Sequence, residues 1–284
     1  MIELSLAIDE STFPMNISGP ITYLSILTLF ALGSCQPDVR QPPDFFSTAD
    51  RPYTDVLEPL VENAIAATPV FWLASFYSIK PEPCSGTVIG NKVVLIAAHC
   101  LRQNKQVTLI IRNKRIKADC TIAPGYHDGD KHKDIAVCEL SEPVRVPFET
   151  ISTNTKYTEV GKKVYLTGFG CEDPSKPPES SSNRFVFRYG GTKLHRVTAE
   201  SDFLVTRGKV ALCLGDSGGG TYVFFDDSES GSRRLVGVNS FVGHPFSYIT
   251  RLDKKWAADF LKSWSEKRNL KICGLHADAT GCRT

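Results

Sequence analysis

From Pro69 onward the chain alternates short apolar or alternating runs with Gly, Pro, Asn and Asp. The runs cover 70–79, 87–89, 93–97, 107–112, 135–140, 163–167, 185–188, 203–206, 222–225, 235–239 and 248–250. They are rich in Val, Ile, Phe and Tyr, residues that fit a pleated, half-buried surface. So many short strands without intervening helical periodicity predict antiparallel sandwich or barrel architecture and not βαβ units. One helix is predicted, near the C-terminus. Trp256, Ala257, Phe260, Leu261 and Trp264 recur at helical spacing with Lys and Glu on the other face, and Asp253 is the expected N-cap. The expected class is all-β with a C-terminal α-helix.

The remaining composition narrows this picture. The chain has 284 residues, enough for one large β domain or two small ones, with 42% hydrophobic residues to fill a core. A net charge of +2 predicts no nucleic-acid partner. Residues 1–35 contain no Lys or Arg and end in an apolar run, Ile21 to Leu32, followed by Gly33-Ser34-Cys35. That run is shorter than the roughly 20 residues of a bilayer span and fits a signal-peptide core. Leu32-Gly33-Ser34-Cys35 resembles the lipobox of bacterial lipoproteins, which implies lipidation at Cys35. Residues 36–60, rich in Pro and Asp, read as a tether or pro-segment. The expected division is a signal segment at 1–35, the tether, a folded domain at 61–272 and a tail at 273–284. The protein is expected to be exported, secreted or lipid-anchored on a bacterial envelope membrane, and monomeric. Its only expected membrane contact is the lipid anchor.

Three motifs carry chemistry. Gly215-Asp216-Ser217-Gly218-Gly219 flanks a serine with the glycines that a strained, closely approached backbone needs. Ala97-Ala98-His99-Cys100 sets a histidine just after an apolar run, and Lys133-Asp134-Ile135 sets an acid at the mouth of another. A buried acid there can fix an imidazole tautomer and stabilise its charged form.

These motifs, in the order His, Asp, Ser, resemble those of the chymotrypsin/trypsin family of serine endopeptidases. Cys84-Ser-Gly-Thr-Val-Ile is similar to that family's C-G-G-S-L-I, Thr167-Gly168-Phe169-Gly170 to T-G-W-G, and 235–241 to L-V-G-I-V-S-W. The resemblance extends over roughly residues 60–268. It implies two packed six-stranded antiparallel β-barrels with the cleft between them, and hydrolysis of protein or peptide substrates without metal or cofactor. By the same resemblance Ser217 is the nucleophile, His99 the base and then the acid, and Asp134 its orienter. The N–H groups of Gly215 and Ser217 form the oxyanion hole. Asp216 matches the acid that pairs with a newly cut N-terminal amine. No Lys or Arg lies between Arg51 and Lys80, so trypsin-like processing cannot create that terminus near 56–61. The expectation is therefore another activating protease or a different partner for Asp216.

Specificity is read from five positions. Ala211 stands where trypsin-like members carry an Asp, which argues against Arg or Lys at P1. Ser240, Phe241 and Val242 match the substrate strand, and Phe246 is expected opposite Val242, narrowing the pocket. A small apolar P1 residue is the preferred expectation; His244 facing an acidic P1 is the other. Two further function classes remain open. One is a catalytically silent binding protein on the same fold. The other is an α/β-hydrolase-type esterase, because G-D-S-G-G also satisfies G-x-S-x-G, but the apolar run after Ser217 predicts a strand where that fold needs a helix. The stretch from His127 to Asp134 reads as a solvated loop before it reads as a metal site.

Nine cysteines complete the reading. The resemblance implies Cys84–Cys100. Cys120 and Cys138 fall on segments expected to be neighbouring strands, Cys171 is expected to replace the missing partner of Cys213, and Cys273 and Cys282 can close a small loop. Four pairs then leave Cys35 as the processing site.

Overall fold

The computed structural model describes residues 64–67, 71–80, 83–102, 105–129, 131–171, 186–226, 228–243 and 245–283. The signal, tether, Cys35, the proposed new terminus and His244 lie outside them. Strands β2 (Ser75–Lys80), β3 (Cys84–Gly90), β4 (Val93–Ile96), β5 (Gln106–Ile111), β6 (Lys114–Ile122) and β7 (Ala136–Leu140) form the first barrel. It closes in the order β2-β3-β4-β7-β6-β5, all pairs antiparallel.

The second barrel contains β8 (Lys163–Gly168), β9 (Arg188–Val197), β10 (Phe203–Arg207), β11 (Gly220–Phe224), β12 (Arg233–Gly243) and β13 (Phe246–Arg251). Its order is β9-β10-β13-β12-β11-β8, closed by β8 on β9, and β1 (Ile65–Ala66) adds outside β9. The expected pair of six-stranded barrels is therefore what the chain forms. After Ser217 the chain enters β11, not a helix.

Besides the two-residue β1, the hydrophobic pattern missed β6, expected only through the placing of Cys120 beside Cys138, and most of β9. In β6 the inward positions Ile116, Ala118 and Cys120 alternate with exposed Arg115, Lys117 and Asp119. Small inward residues between charges give little hydrophobic signal, although the period of two is intact. The long β9 was read only at its first residue, because Gly190, Gly191, Thr192 and Lys193 dilute the pattern. Closure of the first barrel depends on β6 and that of the second on β9.

Helix α1 (Lys255–Lys267) buries Ala257, Leu261 and Trp264. Asp253 does not cap it. The cap residue is Lys254, without a side-chain capping bond, and the Asp253 carboxylate instead accepts from Arg251 at 2.7 and 2.9 Å. A guanidinium fork satisfies that carboxylate more fully than one helical N–H would. The helix touches both barrels: Trp264 donates to Thr121 on β6 at 2.9 Å, and Trp256 donates to Asp202, just before β10, at 2.8 Å.

One core cluster fills the first barrel and continues onto Tyr222 and Phe224 of β11, while Val164, Leu194, Leu204, Val236 and Ile249 fill the second. Between the barrels, fully buried Arg233 donates to Glu149 at 3.0 Å and lies 3.5 Å from the Trp72 ring centroid. Its charge is matched by a buried carboxylate, which is what makes burial of a guanidinium affordable. The last residues pack back as well: Cys273 bonds to Ile89 and Ile151, and Arg283 to Phe148. These contacts hold the two barrels, and so the cleft between them, in one register.

Candidate active site

His99 sits in a short 3₁₀ turn (Ala98–Leu101) at the end of β4, and Asp134 lies two residues before β7. Strands β4 and β7 are paired, with Ile96 opposite Ala136, so the residues that follow one and precede the other are brought together. Asp134 is completely buried and accepts three hydrogen bonds. These come from the His99 N–H at 2.9 Å, His99 Nδ1 at 2.7 Å and the Ser240 hydroxyl at 2.5 Å. With Nδ1–H donating to the carboxylate, a neutral imidazole keeps an unprotonated lone pair on Nε2, which lies 3.9 Å from Cys100 Sγ.

The nucleophile turn comes from the second barrel. Gly215 and Gly218 have φ of +99° and +84°, a region costly for a residue with a Cβ. The turn is anchored by Gly218 N–H donating to the Asn239 carbonyl at 2.7 Å and by Asn239 Nδ2 donating to the Thr167 carbonyl at 2.8 Å. The Ser217 hydroxyl donates to the Ser240 carbonyl at 3.2 Å. Among the described residues the N–H groups of Gly215 and Ser217 have no hydrogen-bond acceptor, whereas those of Asp216 and Gly218 do.

Asp216 is buried directly beneath this turn. Its carboxylate accepts from the Gly170 N–H and the Cys213 N–H, each at 2.8 Å. A Cβ at Gly168 would stand 2.1 Å from its Oδ1, so the glycines of Thr167-Gly168-Phe169-Gly170 make room for the acid. Burial pushes the Asp216 carboxyl up to about 6, opposed by those two N–H groups and the positive charge of Arg188. Because the folded value lies above the ordinary one, Asp216 favours folding most below about pH 4. That contribution is lost as the pH rises through about 6, by roughly 3 kcal/mol in all. The melting temperature of Asp216→Asn minus that of wild type should accordingly increase between pH 4 and pH 7. A difference independent of pH would contradict it.

The structure contains four disulfides: Cys84–Cys100, Cys120–Cys138, Cys171–Cys213 and Cys273–Cys282. The third ties the Gly170 loop to the nucleophile turn, and the Cys171 N–H donates to the Leu214 carbonyl at 3.0 Å.

The five specificity positions are not all on one wall. Ala211 is buried, and neighbouring Leu212 donates its N–H to the Ser247 hydroxyl at 2.9 Å. Ser247 is the cross-strand partner of Val242, which packs on the core of the second barrel. Phe246 lies on the opposite face with Phe203 and Val205, and Phe241 stacks on Tyr248 at 4.3 Å. The expectation that Phe246 faces Val242 fails on strand alternation: Val242 opposes Ser247, one position further on. Of the loop histidines, His127 is exposed and His132 contacts Asp202 at 3.3 Å. Sequence reasoning missed Asn239, Ser85 and the bond of Ser240 to Asp134. Only the polar identity of Asn239 inside an apolar strand signalled one of them.

The family model Trypsin matches residues 62–251. The chain is 24% identical over 207 residues to vitamin K-dependent protein C of Rattus norvegicus, covering 60% of this chain and 43% of that protein. It is 28% identical over 172 residues to snake venom serine protease rhinocerase 4 of Bitis rhinoceros, covering 52% and 65%. To kallikrein-2 of Homo sapiens it is 25% identical over 178 residues, covering 52% and 68%. The match thus spans less than half of protein C and about two thirds of the other two.

Proposed function

Because the chain belongs to the trypsin family of serine endopeptidases, we propose that it cleaves peptide bonds with Ser217 as nucleophile, His99 as general base and acid, and Asp134 as the group that orients His99. The supporting observation is the pairing of His99 Nδ1 with a buried carboxylate, beside a serine turn whose two N–H groups are unclaimed. In this mechanism the Ser217 hydroxyl leaves the Ser240 carbonyl, to which it donates in the structure, and turns to Nε2, which accepts the proton as Oγ attacks the scissile carbonyl. The N–H groups of Gly215 and Ser217 then hold the oxyanion. These donors act where charge develops, so they lower the barrier more than they tighten substrate binding. Protonated His99 gives its proton to the leaving amine, and water repeats the sequence on the acyl-enzyme.

The proposed P1 residue is small and apolar. Ala211, with no charge to meet a Lys or Arg, and the partly buried, apolar Val242 support this reading. Asp216 is proposed as the activation-linked group: a freed amine reaching it would hold its carboxylate charged at neutral pH. Four disulfides support export to an oxidising compartment. Lipid attachment at Cys35 is the proposed form of any membrane contact.

A fluorophosphonate probe should phosphonylate the native protein, and peptide mapping should place the adduct on Ser217. Folded, processed protein with no adduct there would overturn the assignment. A peptide library varied at P1 should favour Ala or Val over Arg and Lys, and preference for a cationic residue would overturn the pocket reading.

A further inference from the structure

We propose that Ser85 is a positioning residue for the oxyanion hole, a role that rests on the assignment of the Gly215 N–H above. Ser85 lies on β3, in the first barrel, and is completely buried. Its hydroxyl donates to the Gly215 carbonyl at 2.7 Å and accepts from the Phe169 N–H at 2.8 Å, and its own N–H donates to the Ser217 carbonyl at 2.8 Å. One side chain from the first barrel thus joins two loops of the second at the site where the oxyanion forms.

The geometry explains why this sets the donor. Gly215 links two peptide planes. The plane before it carries the oxyanion N–H, and its other end, the Leu214 carbonyl, is held by the Cys171 N–H at 3.0 Å. The plane after it is held at the Gly215 carbonyl by Ser85 and at its other end by the Asp216 N–H, which donates to the Cys213 carbonyl at 3.0 Å. With both planes pinned, glycine is kept at φ +99°. Because Phe169 donates to the Ser85 oxygen, the single hydroxyl proton is committed to Gly215. Without the hydroxyl, the Phe169 N–H and the Gly215 carbonyl both lose the partner they share. The plane after Gly215 is then held only by the Asp216 N–H on the Cys213 carbonyl, and glycine, the most permissive residue in backbone terms, can tilt about that bond to relieve them.

The role differs from structural support because it acts on the transition state alone. In Ser85→Ala, kcat should fall by about 10- to 100-fold, less than the loss of an entire oxyanion donor, while KM changes less than about twofold. Affinity for a peptidyl trifluoromethyl ketone, whose adduct places an oxyanion against these N–H groups, should fall by the same factor as kcat/KM. Ser85→Gly should reproduce both losses, since it lacks the same hydroxyl. A folded Ser85→Ala or Ser85→Gly with wild-type kcat, or with lowered kcat and unchanged analogue affinity, overturns the proposal. Fluorophosphonate labelling of the wild type separates the two levels. An unlabelled Ser217 removes the catalytic reading and this role with it, whereas a labelled wild type with unaffected Ser85 variants removes this role alone.

Discussion

Ser217→Ala should yield a folded protein whose kcat is about a millionfold lower than wild type. The loss is large because the hydroxyl is both the attacking group and the source of the first proton transferred. The fold should survive, because the side chain makes one hydrogen bond, to the Ser240 carbonyl. The backbone contacts that shape the turn do not involve it: the Ser217 carbonyl still accepts from Ser85, and Gly218 still donates to Asn239. Rates with a peptide amide, measured beside the melting temperature, check this. Substantial activity in the folded variant would mean that the nucleophile lies elsewhere. A residual rate of about 10³-fold over water is compatible, since the two N–H donors remain.

The main lines of both fold and site were legible in the chain. Runs such as 93–97 and 235–239 combine β-branched residues with clear boundaries, and they supply β4 and the middle of β12. His99 and Asp134 were legible because each sits at the end of an apolar run, and strand ends open onto the cleft. Cys171 and Cys213 could be matched because the resemblance left Cys213 without its usual partner and brought Cys171, just after Thr167-Gly168-Phe169-Gly170, near it. The structure joins them.

What the chain did not display is polar connectivity. Ser85 reads as an ordinary small residue in a strand, and nothing local tells that Phe169 and Gly215, 84 and 130 positions away, converge on its hydroxyl. Asn239 is similar: its partners Thr167 and Thr221 come from β8 and β11. Hydrophobic periodicity reports which face is buried, and not which buried hydroxyl meets which carbonyl. The error at Phe246 has another origin. The hairpin between β12 and β13 is so short that shifting the assumed register by one position moves a side chain to the opposite face.

Asp134→Asn should lower kcat by about 10⁴-fold with little change in KM. Asp134 is completely buried, so it touches no substrate and has no route to binding affinity except through His99. Three donors converge on its carboxylate: the His99 N–H, His99 Nδ1–H and the Ser240 hydroxyl. Four lone-pair sites accommodate all three, whereas an amide offers one oxygen and two further donors. If the oxygen keeps the His99 N–H, the NH₂ group faces Nδ1 and favours the tautomer with its proton on Nε2. The base then has no lone pair for the Ser217 proton. If the amide turns the other way, the tautomer is kept but the main-chain N–H of His99 loses its acceptor, at a cost of about 1–3 kcal/mol. The variant should therefore combine a modest fall in melting temperature with a kcat loss far larger than that fall explains. Equal kcat in a folded Asp134→Asn protein would show that His99 does not depend on this carboxylate for its tautomer.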